Sequence, residues 1–348
     1  MPLTDLRKRV GSLIFRGGLT GVSYLGRLHP RARPHRHGIE VIRNLAYRPT
    51  GADDHRLDLY VPVRPPPSQA LSNHPEQSFS PYRRPHPIVL YVHGGAFRIL
   101  SKETHWVMGL AFARRGFLVF NINYRLAPRH PFPAALEDAC AALEYVIREA
   151  VRHGGDPNQI VLAGESAGAN LVTSLALLTV VKRPEPWARR IYDLGVVPRA
   201  VVPMCGMLQV TDTARFTRRK RLPSWLADRL IETTEAYLGR SQAPDSHLLA
   251  DPLLLIEQLA EGRLTADRAL PPFFASVGTR DPLLDDTRRL EAALKTLGVP
   301  HEARYYPGEV HAFQALVFRE LSKQCWQDTY AFLDRHLHSS TKDPGQPA

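Results

Sequence analysis

Cysteine is scarce in this chain: Cys140, Cys205 and Cys325 are the only three among 348 residues. An odd number of widely spaced cysteines, each set in an apolar stretch, argues against a disulfide framework and fits a reducing cytoplasm. None of the three has the spacing of a metal-ligand motif. No run of 18 consecutive apolar residues occurs either, which argues against a membrane-spanning helix. The opening MPLTDLRKRVGSLIFRGG is broken by Arg16 and lacks a signal-peptide core and cleavage site, so it reads as a retained segment. Internal repeats are missing. Negative charge is also short, with 34 Asp and Glu against 45 Lys and Arg, for a net charge of +11.

The positive excess is uneven. Ten Lys and Arg fall in the first 50 residues against Asp5 and Glu40, and a second basic run, RFTRRKR, covers 215–221. Its plain reading is a solvated face; its sharper reading is a peripheral contact with an anionic membrane or an acidic substrate. Nucleic acid is not expected, because no aromatic-interleaved basic patch accompanies the charge. His35 and His37, in the basic linker RPHRH, read as solvated rather than metal-binding.

A hydrophobic content of 44% supports a full core. Leu3, Leu6, Val10, Leu13 and Ile14 fall at helical spacing near the start. Two strand-like runs follow at 40–48 and 55–63, separated by the turn residues PTGADD. Residues 64–86 are rich in Pro and Ser and read as a long mobile loop. Beyond it, short apolar runs at 87–94, 117–125, 159–166, 200–206, 272–278 and 301–308 alternate with helical patterns near 104–115, 134–152, 167–181, 286–297 and 313–337. Near-continuous apolar strands alternating with helices predict a mostly parallel sheet of eight strands, covered on both faces. The interval 207–270 is too long for one crossover. It holds the helical pattern at 223–239 and reads as an insertion over one end of the sheet.

The stretch VLAGESAGAN, 161–170, carries the chemistry. Ser166 stands where a buried strand ends and a helix begins, and Gly164 and Gly168 remove side chains that would clash in so tight a turn. By itself the pattern also suits an N-cap serine beside turn glycines. A serine nucleophile needs a base, and the base needs an orienting acid. His311 lies in a loop after one strand-like run, and Asp281 just past another. Both should project at the sheet edge that carries Ser166. Asp285 and Asp286 read as favourable charges at a helix start, and Glu309 as a rival acid pointing away from His311. Attack on a carbonyl creates an oxyanion, and YVHGGAF at 91–97 offers glycine-rich backbone to meet it. The amides of Gly94, Gly95, Ala96 and Ala167 are the candidate donors, with His93 as a structural hydrogen-bonder.

Taken in order and spacing, HGGAF, NYRLAPRHPFPAALEDA, GESAGAN, GTRDPL and EVHAF resemble the hormone-sensitive-lipase-like family of serine carboxylesterases, in its GESAG subgroup. The resemblance spans about 40–336. It implies an α/β-hydrolase fold with Ser166 as nucleophile, Asp281 as acid and His311 as base. It also implies a helical cap built from 1–39 and 207–265; the core segments are then 40–206 and 266–337, and 338–348 reads as a disordered tail. Ala96 stands where a third Gly is common, Asn123 where Asp is common and Arg129 where Glu is common. The expectation is a cytoplasmic esterase that acts on small-molecule esters with short or medium acyl chains and needs no cofactor or metal. An amide or formamide hydrolase on the same triad, a non-catalytic basic-surface binding protein and a homodimer stay open as alternatives.

Overall fold

The computed structural model describes residues 21, 23–63, 85–212, 215–218, 223–239 and 244–338. The amphipathic start, nearly all of the Pro- and Ser-rich stretch, part of the second basic run and almost all of the C-terminal tail lie outside the described residues.

Eight strands form one sheet: β1 (Ile39–Ala46), β2 (Arg56–Pro62), β3 (His86–Val92), β4 (Leu118–Ile122), β5 (Gly155–Glu165), β6 (Ala200–Met204), β7 (Phe273–Gly278) and β8 (His301–Tyr306). Their spatial order is β1-β2-β4-β3-β5-β6-β7-β8. β2 pairs antiparallel with both β1 and β4, and every later pairing is parallel. Parallel neighbours need crossovers, and these are supplied by α1 (Trp106–Arg114), α2 (Ala134–Glu149), α3 (Ala167–Val180), α4 (Pro186–Asp193) and α8 (Leu284–Thr296). Between β6 and β7 lie α5 (Arg215–Arg218), α6 (Ser224–Leu238) and α7 (Pro252–Ala260), and α9 (Glu320–His338) follows β8.

The apolar runs are continuous because both faces of the sheet are buried. Along β3, Ile88, Leu90 and Val92 join one core with Leu136 and Leu143 of α2 and Leu171 and Leu175 of α3. The alternate residues Val89 and Tyr91 join a second core with Met108 and Phe112 of α1 and Phe332 and Leu333 of α9. Each such side chain, fully buried, contributes about 1.5–3 kcal/mol. All of α3 is buried, which explains why AGANLVTSLALLTV carries no charged residue on any side. Among the described residues, no helix is long and apolar enough to cross a membrane.

The observed strands and helices match the expected ones to within a few residues. The exceptions are α4, α5 and α7, which the sequence pattern did not mark, and the last helix, which begins at Glu320 after a short 3₁₀ turn at Phe313–Ala315.

Candidate active site

β5 runs centrally between β3 and β6, and its C-terminal end places Ser166 in a sharp turn into α3. Ser166 has φ 54° and ψ −115°, a left-handed conformation that costs a non-glycine residue about 1–3 kcal/mol. Its surroundings enforce it. The Ser166 amide donates to Met204 O at 2.9 Å, and its carbonyl accepts from Met207 N at 3.2 Å and Asn170 N at 3.3 Å. Asn170 then donates to the carbonyls of Met207 and Ala250, each at 2.8 Å. The flanking glycines are sterically required: a Cβ on Gly164 would sit 2.7 Å from Val92 O, and one on Gly168 only 2.0 Å from the same atom. Ser166 itself is half-buried.

Asp281 follows β7 in a turn closed by its own amide on Gly278 O, 3.1 Å. Its Oδ1 accepts from Leu283 N at 2.8 Å, and its Oδ2 lies 2.9 Å from His311 Nδ1. The Asp281 side chain is fully enclosed, whereas His311 is 36% exposed. The loops after β7 and β8 are joined by Arg280 N to Glu309 O (3.0 Å) and Gly308 N to Thr279 Oγ1 (2.8 Å). Burial by itself would push the imidazole toward its neutral form. The Asp281 carboxylate and the nearby Cys205 sulfur outweigh it and hold the pKa of His311 well above the usual histidine range. With Nδ1 on Asp281, the second ring nitrogen is left to act as a base. No hydrogen bond joins the Ser166 hydroxyl to His311 among the described residues. The structure thus pairs Asp281 with His311 and sets Ser166 at the same sheet edge, held by the turn at 204–207.

The loop after β3 holds the candidate anion donors. Gly95 (φ 112°), Ala96 (φ 56°) and Phe97 (φ 58°) form a run of left-handed residues that turns the backbone over. The Gly95 and Ala96 amides donate to no described residue. The amide of Ala167 is the first of α3 and has no partner within the helix. Gly94 differs from its expected role: its amide is engaged by Glu165 Oε1 at 2.9 Å. The candidate donors therefore narrow to Gly95, Ala96 and Ala167, with Gly94 serving as the anchor that fixes the loop.

Glu165 was not singled out by sequence as a site residue, yet it is the hub of a buried network. Its carboxylate accepts from Tyr91 Oη and the Gly94 amide, and lies 2.5 Å from His105 Nε2. Burial pushes its pKa up to about 7, against the lowering effects of the Gly94 amide and His311. Burial pushes His105 down to about 4. His93 is the structural residue expected of it: Nδ1 donates to Gly94 O at 2.6 Å, and the ring stacks on Tyr124 at 4.4 Å. Burial, first, and His105 lower its pKa to about 3.

The rival acids lie elsewhere. Glu309 is buried and pairs with Arg319 at 2.9 Å. Asp285 meets Arg288 at 3.4 Å within the first turns of α8. Asp286, in the same first turn, is fully buried; it accepts from Leu208 N and pairs with Arg215 at 2.6 Å. It is more than a helix-start charge, because it ties α5 and the start of the 207–265 segment to α8. That segment also reaches the anion loop. Tyr237 of α6 stacks on Phe97 at 3.6 Å, nearly parallel, and Glu232 meets Arg98 at 3.4 Å. Asn123, where the family commonly has Asp, accepts from Lys102 N at 2.7 Å.

The chain is similar to known proteins in sequence and in fold. A family described as having the α/β-hydrolase fold matches residues 89–315. The chain is 32% identical to carboxylesterase NlhH of Mycobacterium tuberculosis over 230 residues, 65% of this chain and 66% of that protein, just under two thirds of its length. It is 33% identical to an acetyl-hydrolase of Streptomyces hygroscopicus, over 67% of this chain and 70% of that one. Among solved structures, a bacterial heroin esterase superposes with a TM-score of 0.66 at 27% identity, covering 87% of this chain and 86% of the other. EstE1, a thermostable carboxylesterase from a metagenomic library, superposes at 0.68 with 24% identity, covering 94% and 97%, and shares the fold.

Proposed function

The chain belongs to the α/β-hydrolase fold family, and from that premise we propose that it is a serine carboxylesterase working through an acyl-enzyme. The observation that carries this reading is the 2.9 Å pairing of His311 with buried Asp281, at the sheet edge where Ser166 is held in its strained turn. His311 takes the Ser166 proton as Oγ attacks the ester carbonyl. The oxyanion is met by the amides of Ala167, Gly95 and Ala96, each such donor being worth about 3–4 kcal/mol of barrier. The alcohol leaves with the proton from His311. A water activated by the same imidazole then releases the acid. Asp281 keeps the imidazole in the productive tautomer and stabilises its charged form.

Residues 1–39 and 207–265 are read as the cap over this edge. The stack of Tyr237 on Phe97, next to the anion-binding loop, supports that reading for the second segment. Short to medium acyl chains are the expected substrates, in keeping with the acetyl chemistry in the name of the Streptomyces relative.

Ser166→Ala should lower nitrophenyl-ester turnover by several orders of magnitude with the fold retained; an unchanged rate overturns the assignment. A series of acyl lengths fixes the chain preference. Matched ester and amide substrates decide between esterase and amidase.

A further inference from the structure

One group beside the triad neither transfers a proton nor forms a bond in the reaction just described. Cys205 follows β6 and is fully buried. Its backbone sits at φ 40°, a left-handed conformation for a side-chain-bearing residue, and its amide is tied to Ser276 O at 2.7 Å. Strain of this kind persists only where the surroundings over-determine it. The side chain so aimed places one sulfur, one carboxylate oxygen of Asp281 and one ring nitrogen of His311 all within 4.8 Å of one another.

We propose that Cys205, Asp281 and His311 form an inhibitory site for a thiophilic divalent cation of the zinc type. The donor set selects the ion class: thiolate with imidazole suits zinc and its congeners, whereas magnesium and calcium want oxygen ligands. Zinc bond lengths of about 2.0–2.3 Å put tetrahedral ligand atoms roughly 3.3–3.8 Å apart. The Asp281–His311 pair, at 2.9 Å, has only to open slightly around the ion. The sulfur, within 4.8 Å of the other two atoms, closes in by about 1.3 Å at most. The partly exposed imidazole supplies the way in and leaves the fourth position to water.

Binding balances simply. The thiol proton goes to solvent and the sulfur becomes a thiolate ligand; Asp281 gives an oxygen. If the metal takes Nδ1 of a neutral imidazole, the proton there moves to Nε2, which then cannot accept one from Ser166. If the metal takes Nε2, the base itself is covered. An imidazolium loses one further proton to solvent. Either way the general base is removed, and a triad with its histidine in the wrong tautomer runs about 10⁴-fold slower.

That occupancy silences turnover rests on the esterase reading; that the site binds metal does not. The first test is therefore spectroscopic. Cobalt(II) added to the full-length, chelator-treated protein should give a thiolate-to-cobalt charge-transfer band in the near ultraviolet. Zinc should displace it. The band should persist in Cys140→Ser and Cys325→Ser and vanish in both Cys205→Ser and Cys205→Ala. In parallel, the zinc concentration that halves ester hydrolysis, measured for each protein against its own metal-free rate, should rise at least tenfold when Cys205 is replaced. Absence of the band in the unaltered protein overturns the proposal, as does its survival without Cys205. A band without any esterase activity would retain the metal site and reject the esterase reading.

Discussion

Gly168→Ala tests whether the contact between the first turn of α3 and the end of β3 sets the geometry of the site. The added methyl would lie 2.0 Å from Val92 O and 2.7 Å from His93 O. Both are backbone atoms, so no side-chain rotation relieves the clash. Reaching an ordinary carbon–oxygen contact of about 3.4 Å requires the helix start and the strand end to part by about 1.4 Å. Ser166 and the Ala167 amide ride on the first, and the loop bearing the Gly95 and Ala96 amides on the second. Separating nucleophile and anion donors by about 1 Å costs on the order of 10²-fold in rate. Overpacking itself costs about 1–3 kcal/mol, within what a domain of this size tolerates. The expected result is a folded protein by circular dichroism whose kcat/KM for a nitrophenyl butyrate is about a hundredfold lower, chiefly in kcat. A variant that folds and keeps kcat/KM within threefold would refute this reading of the turn at Ser166.

Asp281→Asn should leave the fold intact and lower kcat by about 10⁴-fold, because the amide no longer holds the productive imidazole tautomer; steady-state kinetics near neutral pH checks this. The raised pKa of His311 gives a direction for the pH profile. The base is lost to protonation below a pKa that lies above the usual value of about 6.5. The acid limb of kcat/KM should therefore fall above that value, and a limb below it would contradict the coupling to Asp281. Glu165 has a consequence for stability. Its pKa, raised from 4.5 to about 7, means the folded state binds the extra proton. Stability contributed by this group is full below about 4.5 and is lost as pH rises through about 7. A shift of this size corresponds to about 3 kcal/mol. Glu165→Gln should remove most of the resulting difference in urea stability between pH 5 and pH 8 while preserving an acceptor for the Gly94 amide; an unchanged difference would locate the pH dependence elsewhere.

Much of this was legible in the chain because parallel strands write themselves as apolar runs. Those runs gave each strand to within a few residues, and their ends fixed the shared edge for Ser166, Asp281 and His311. Contacts between distant segments were not legible. Gly94 looked like a donor to substrate because its spacing matched; only the fold shows a carboxylate 71 residues away taking its amide. Asp285 and Asp286 are equivalent in a helix-start pattern, yet the turn of α8 sends one toward Arg288 and buries the other against Arg215. Cys205 has no metal-ligand spacing, because its neighbours come from the ends of β7 and β8 rather than from its own segment. Helix α7 escaped notice because LLLIEQLA lies inside an interval read as a single insertion.

The central claim is that the Ser166 hydroxyl is the activated nucleophile. Reaction of the native protein with a fluorophosphonate, followed by proteolysis and mass spectrometry, tests it most directly. One adduct per chain is expected, on Ser166, formed far more slowly after His311→Ala. An adduct on any other residue, or no adduct on folded protein, would contradict it.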